Sequence, residues 1–383
     1  MIDENDGRSG PQQDGPEAGR PSAGRTGTER ARPGPDRAAP GRDEARRIAL
    51  PGARTAADDA PCPGGGPAVV AFGGGHGLYA CLSALRRVTD RLTAVVTVAD
   101  DGGSSGRIRQ ELAVLPPGDL RMALAALCGD DEWGRTWARA LQHRFSGSGE
   151  LAGHALGNLL IVALWEQLGD PVGALDWVGR LLGAQGRVLP MSAVPLEIEA
   201  SVRGGDPERP DAEVIVRGQH ALAKAPGEVL SVRLLPENPP TVPEAVAAVE
   251  EADWVVFGPG SWFTSVLPHL MVPQLADALA SARARRLLVL NLVPQAGETD
   301  GYTSANHVEV FAAHAPKLRL DGILVDPRSL RGPQEAEQLA AVAASLGARV
   351  YSTEVAEDGG LPRHDPARLA DAFRGVFGRR LFP

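Results

Sequence analysis

Short runs of apolar residues, each closed by glycine or by polar residues, recur from residue 68 onward. They are Ala68-Val69-Val70-Ala71-Phe72, Val95-Val96-Thr97-Val98, Trp254-Val255-Val256-Phe257, Leu287-Leu288-Val289-Leu290, Ile323-Leu324-Val325 and Arg349-Val350-Tyr351. Such runs suit strands covered on both faces, as parallel strands are. Between them the apolar spacing becomes helical. It predicts helices over about 78–88, 120–128, 133–145, 151–168, 171–182, 242–252 and 335–346. A closing helix follows Asp365 as N-cap and Pro366 as first residue. Trp137, Leu141 and Phe145 read as a core stripe on one of these helices. Runs near 187–189, 196–200, 213–216 and 230–234 read as a peripheral β subdomain with no chemistry assigned. The pattern as a whole predicts an α/β fold. It is Rossmann-like, with a doubly wound, mostly parallel sheet and a helical and β insertion.

Residues 1–66 break this pattern. They are rich in Gly, Pro, Arg, Asp and Ala, with almost no large apolar side chains. Such a segment buries too little to offset its chain entropy, so a disordered tail is expected before one domain over 67–383. The chain has 383 residues, 43% of them hydrophobic, enough for a sizeable core. Its net charge of -9 argues against a nucleic-acid binder that works by neutralising phosphates. No apolar run reaches the roughly 18 residues of a membrane span. The opening residues carry no apolar signal region, which places the protein in the cytoplasm. Three cysteines, Cys62, Cys81 and Cys128, form neither a metal spacing nor a disulfide framework, and Cys81 is expected in the core.

The chemistry sits where strands end. The first run leads into Gly73-Gly74-Gly75-His76-Gly77 and then a helix. That is a phosphate-binding layout, because a helix start offers free N–H groups and positive potential. Leu78 stands where a dinucleotide fingerprint needs its third glycine, so an NAD-dependent oxidoreductase is a weak reading. The second run ends in Asp100 and Asp101, then Gly102, Gly103, Ser104, Ser105, Gly106 and Arg107. Acids at a strand's carboxyl end accept ribose hydroxyls in doubly wound folds. Glycines and hydroxyls bring donors to an anion, and Arg107 adds a charge. Asp119 is read either as the N-cap of its helix or as a ligand or metal contact. Arg121, in the first turn, opposes the helix dipole and so invites an anion. His154 and Asn158 lie four apart near a helix start. They read either as a satisfied core pair or as part of a site. Gly258-Pro259-Gly260-Ser261, with Thr264 and Ser265, repeats the strand, glycine, helix layout. Asn291 and Gln295 follow a further strand, and Arg363 precedes the closing helix.

Seven motifs come in one order: Phe72–Gly77, Thr97–Arg107, Pro116–Arg121, Ala152–Asn158, Gly258–Ser265, Gln295–Thr299 and Arg363–Asp365. The series resembles the YvcK family, the gluconeogenesis factors, within the wider YvcK/CofD superfamily. The likeness runs from about Ala68 to the C-terminus. It implies a cytoplasmic bacterial protein that binds UDP-N-acetylglucosamine. Such proteins are required for normal cell shape and cell-wall synthesis on gluconeogenic carbon. The CofD branch instead transfers a phospholactyl group to the deazaflavin Fo, using a guanylylated donor and Mg²⁺. His76 and Pro366 stand where the family commonly has Thr.

On this reading the Gly73–Gly77 and Gly258–Ser261 corners surround a diphosphate. Asp100 or Asp101 holds ribose or sugar hydroxyls, and Arg107, Arg121 or Arg363 balances phosphate charge. His154 and Asn158 line the sugar. No catalytic residue and no firm cofactor is assigned. In the competing transferase reading, Asp100, Asp101 and Asp119 hold Mg²⁺ against the diphosphate. The expected partner is a nucleotide sugar, with no nucleic acid and no membrane span. A cell-wall-synthesis protein and a second copy of the chain stay open as further partners.

Overall fold

The computed structural model describes residues 65–206, 208–209 and 211–378. The expected N-terminal tail therefore lies, but for Gly65 and Gly66, outside the described residues. Seven strands form one parallel sheet: β1 (Val69–Gly73), β2 (Leu92–Val96), β3 (Arg187–Pro190), β7 (Trp254–Phe257), β8 (Arg285–Val289), β9 (Gly322–Val325) and β10 (Arg349–Ser352). Their order is β10-β9-β8-β7-β1-β2-β3. The chain builds outward from β1 through β2 to β3, then restarts at β7 on the other side of β1. That reversal is the topological switch point, where the strands' carboxyl ends open a crevice. The expected α/β fold is thus the observed one.

Crossovers between parallel strands are right-handed, so those leaving β1 and β7 in opposite directions cover opposite faces. Helix α1 (Gly75–Leu85) packs with α3 (Gly118–Ala126) and with the closing α12 (Pro366–Phe377). Across the sheet, α8 (Pro243–Glu250) packs with α9 (Pro273–Ser281), and α10 (Ser304–His314) with α11 (Pro333–Ser345). The central strands are buried on both faces, as continuous apolar runs require. Phe72 stacks on Phe257 with ring centroids 5.5 Å apart, and Phe257 meets Phe311 edge-on at 5.0 Å. These rings tie β1, β7 and α10 into one core.

The insertion after β2 contains α2 (Gly103–Leu112), α3, α4 (Glu132–Gln142), α5 (Leu156–Leu168) and α6 (Pro171–Leu182). After β3, the antiparallel sheet β5-β4-β6 follows, from β4 (Glu197–Arg203), β5 (Glu213–Arg217) and β6 (Glu228–Leu235), with the short α7 (Gln219–Leu222). Several expectations are corrected. Residues 187–189 join the main sheet, because β3 pairs with β2 rather than with the peripheral strands. The stretch after Gly102 is helix α2, where the apolar spacing predicts none. Helix α1 begins at Gly75, three residues early, so the glycine corner is itself the helix start. His154 precedes α5 rather than lying within it. Phe145 falls beyond the end of α4 and leaves the core stripe. Helices α9 and α10 lack an equivalent in the sequence reading. Asp365 caps α12 as expected, accepting the Ala367 and Arg368 N–H groups at 2.8 and 2.9 Å.

The corners after β1 and β7 touch through glycine. A Cβ on Gly77 would run into the Pro259 carbonyl and lie 2.8 Å from the Gly260 Cα. Alanine favours a helix by about 1 kcal/mol over glycine, but overpacking against rigid backbone costs about 1–3 kcal/mol. Gly77→Ala is therefore expected to lower the midpoint of denaturant unfolding, by up to about 2 kcal/mol of stability. A raised midpoint would mean that the two corners stand apart.

Candidate functional site

The amino ends of α1, α3, α2 and α5 form a chain of contacts at the carboxyl edge of β1 and β2. None of the four has a side-chain cap: the N-cap residues are Gly74, Pro117, Gly102 and Ala155. By contrast α4, α6, α10 and α12 are capped by Asp131, Asp170, Thr303 and Asp365. Helices α8, α9 and α11 also lack caps, but proline opens each and removes one donor. Orphan N–H groups and positive potential therefore concentrate at this edge. Gly75 and Gly77 are half-buried and His76 is exposed, so the start of α1 is open.

Two carboxylates sit among these ends. A Cβ on Gly74 would lie 2.6 Å from the Asp119 Oδ2, so glycine lets that side chain rest against the first corner. Asp119 lies inside the first turn of α3 and is not its cap. It is 8% exposed, and its Oδ2 has no hydrogen-bond partner among the described residues. Burial, and then the nearby Asp100 carboxylate, push Asp119 up to about 7; the Gly75 N–H and Arg121 pull the other way. Asp100 accepts the Gly102 N–H at 2.9 Å through Oδ1. Its Oδ2 rests against Gly118, where a Cβ would come within 2.6 Å, and the Ser105 Oγ crowds the same spot.

Arg121 is 4% exposed and stands beside both acids. Burial, then Arg144, lower it to about 10, while Asp119 and Asp100 hold it up, so the guanidinium keeps its charge at neutral pH. Its Nε donates to the Asn158 Oδ1 at 2.9 Å. Asn158 Nδ2 donates to the Ser104 Oγ at 3.0 Å, and the Ala155 N–H donates to the same oxygen at 3.3 Å. Ser104 Oγ lies 3.1 Å from His154 Nδ1. His154 and Asn158 thus meet at a serine on α2, not along one helix face. Burial, then Arg107, lower the His154 pKa.

The corner after β7 is closed from within. Asn291 holds Gly260 by both amide groups: Oδ1 accepts the Gly260 N–H, and Nδ2 donates to its carbonyl, each at 2.8 Å. Ser261 Oγ accepts the Thr264 N–H at 3.2 Å, contacts the Thr264 hydroxyl, and donates to the Glu298 carboxylate at 2.6 Å. Glu298 is 6% exposed and also takes the Trp262 and Phe263 N–H groups. Burial raises its pKa, and those donors oppose the rise. An internal carboxyl group already occupies this helix start. Thr97 links the corners, its Oγ1 donating to the Thr264 carbonyl at 3.5 Å.

The sequence profile of a family described as 2-phospho-L-lactate transferase CofD matches residues 69–356. The chain belongs to the CofD family. A gluconeogenesis factor of Mycobacterium tuberculosis is 56% identical over 311 residues, covering 81% of this chain and 90% of that one. That of Listeria monocytogenes is 37% identical over 315 residues, covering 80% and 94%. That of Bacillus subtilis is 36% identical over 264 residues, covering 69% and 80%. A crystal structure of a UPF0052-family protein from Bacillus halodurans superposes with a TM-score of 0.70 at 34% identity, covering 80% and 98%. This CofD-family chain therefore lies on the YvcK, or gluconeogenesis-factor, branch.

The CofD-family structure brings together Gly73–Gly77, Asp100, Ser104, Ser105, Asp119, Arg121, His154 and Asn158. It places the other expected residues differently. Asp101 accepts the His220 N–H of α7 at 2.8 Å, fastening the β insertion to the edge. Asp100, Asp101 and Asp119 consequently do not form a three-acid metal set, and no cluster of three metal-ligating side chains occurs among the described residues. Asp100 and Asp119 alone remain as a pair. Arg107 is exposed and donates to the Ala152 carbonyl at 2.7 Å. Gln295 has a buried Oε1 without a partner among the described residues. Arg363 is exposed, with no side-chain hydrogen bond or ion pair among the described residues. Cys81 is buried, which pushes its thiol up to about 12 and excludes it as a nucleophile. Among the described residues no helix is long and apolar enough to cross a membrane.

Glu298 and His269 escaped the sequence reading. Glu298 sits inside a quoted motif, and an acid after a strand was its signal. His269 is wholly buried and bonds the Gly73 carbonyl at 3.2 Å through Nε2; nothing local marks it. Asp119 yields a pH prediction. Its folded pKa lies above its unfolded value, so the native state binds the extra proton and stability falls as pH rises from about 4 to about 7. Asp119→Asn is expected to gain stability over the wild type progressively across that window, with no further gain above it. A gain that shrinks with rising pH, measured by denaturant unfolding, would mean Asp119 is a stabilised carboxylate.

Proposed function

We propose that this protein binds a nucleoside-diphosphate sugar, UDP-N-acetylglucosamine, at the β1/β7 switch point. On this reading it acts in the cytoplasm as a regulator of cell-wall precursor supply and cell shape during growth on gluconeogenic carbon. The observation that carries the reading is the convergence of uncapped helix starts around a buried, charged Arg121. A diphosphate has the charge and acceptors to satisfy orphan N–H groups, and a guanidinium suits phosphate oxygens. The relatives named as gluconeogenesis factors support the biological role. The start of α1, not the corner after β7, is the better place for the phosphates, because Glu298 already fills the latter. Asp100 is left to accept sugar or ribose hydroxyls.

A second reading, a CofD-type transferase, is favoured by the Asp100–Asp119 pair. Magnesium takes one or two carboxylates together with phosphate oxygens, which these two acids fit and three would not improve. Bound there, Mg²⁺ would offset charge on the diphosphate, and Arg121 and the helix starts would orient it.

Calorimetry with UDP-N-acetylglucosamine, with and without Mg²⁺ and with product analysis in parallel, separates the two. Binding without turnover and without a metal requirement supports the regulator; metal-dependent consumption of a nucleotide donor supports the transferase. Arg121→Gln is expected to weaken binding by about 1.5–3 kcal/mol, roughly ten- to hundredfold. Unchanged affinity in that variant would remove Arg121 from the site.

A further inference from the structure

The hydrogen bonds from Arg121 to His154 run in one direction. Arg121 Nε can only donate, so the atom it meets on Asn158 is the amide oxygen. This fixes the amide flip and turns the Asn158 Nδ2 toward Ser104. Ser104 Oγ receives that N–H and the Ala155 N–H, which fill both its lone pairs. Among the described residues its own proton then has one partner within reach, His154 Nδ1 at 3.1 Å. Nδ1 must accept. Were Nδ1 protonated, Ser104 would face three donors, and its hydroxyl proton would be buried without an acceptor. Ser104 is 3% exposed and Asn158 1%, so water offers little relief.

We propose that Ser104 is a positioning residue that holds His154 as the neutral Nε2–H tautomer, making His154 a hydrogen-bond donor to a bound ligand's oxygen and barring it from service as a general base. The Nε2 atom has no protein partner among the described residues and is not sealed from solvent. Arg107, Glu111 and Arg144 are the charged groups that act on the ring. A neutral donor suits an uncharged or anionic oxygen, such as a hydroxyl, carbonyl or phosphate oxygen. The donor role rests on the ligand reading above; the tautomer does not.

Two-bond proton–nitrogen correlation spectra of protein labelled with ¹⁵N-histidine test the tautomer without any ligand. His154→Gln identifies the His154 signals among those of the eight histidines. The wild type should show an unprotonated Nδ1 and a protonated Nε2 near neutral pH. Ser104→Ala should shift the Nδ1 resonance and admit the other tautomer, and Ser104→Thr should restore the pattern. A wild-type Nδ1–H signature, or a pattern unchanged in Ser104→Ala, overturns the proposal. Glutamine's amide nitrogen stands in for Nε2, so His154→Gln should bind UDP-N-acetylglucosamine at least tenfold more tightly than His154→Ala. Equal loss in both overturns the donor role. If the wild type does not bind this probe, the ligand reading fails, while the spectra still decide the tautomer.

Discussion

Like ends of helix dipoles repel, yet the amino ends of α1, α2, α3 and α5 are held against one another at one edge of the sheet. Each end carries roughly half a positive charge, concentrated in its first turn. The fold permits the crowding because glycine stands at most of the crossings, and Ser104 joins α2 to α5. Gly77 lets α1 meet the β7 corner, Gly74 admits Asp119, and Gly118 admits Asp100 and Ser105. The same crowding surrounds the acids there. Buried Asp119 and half-buried Asp100 sit in positive potential, and Arg121 is lodged beside them.

The corners after β1 and β7 look alike as sequence but differ as chemistry. Both join a buried strand to a helical turn through glycine. At the β7 corner Glu298 engages Ser261 and two following N–H groups, whereas at the β1 corner Asp119 engages the Gly75 N–H alone. Asn291 makes that corner rigid rather than available. One half of the switch point is therefore built as a wall, and the other half stays open at His76 and Gly77. Asp101 extends the wall by fastening α7 and the β insertion beside the edge.

Much of this was legible in the sequence. The apolar runs located six of the seven strands of the main sheet, because inner strands buried on both faces need continuous apolar residues; the edge strand β10 is largely exposed and showed only a short run. The glycine and acid corners were visible because few other roles call for those residues after a strand. What stayed hidden depends on contacts far apart in the chain. β3 looked peripheral because its pairing with β2 spans about ninety residues. His154 and Asn158 were paired by helical spacing, whereas Ser104, some fifty residues away, brings them together. Asp101 and Asn291 resemble ligand residues by type and position, and only the fold shows that backbone groups already engage them. The membership of the CofD family added a lineage, but the division of labour among these acids comes from the packing.

The account turns on a ligand's phosphates lying at the open start of α1. A crystal structure of the protein with UDP-N-acetylglucosamine tests this most directly. The expected result places the diphosphate within hydrogen-bonding distance of the His76 and Gly77 N–H groups and Arg121, with Glu298 still bound to Ser261. A nucleotide found instead in the groove of about 550 Å³ between β10 and α12, or at the β7 corner with Glu298 displaced, would contradict it.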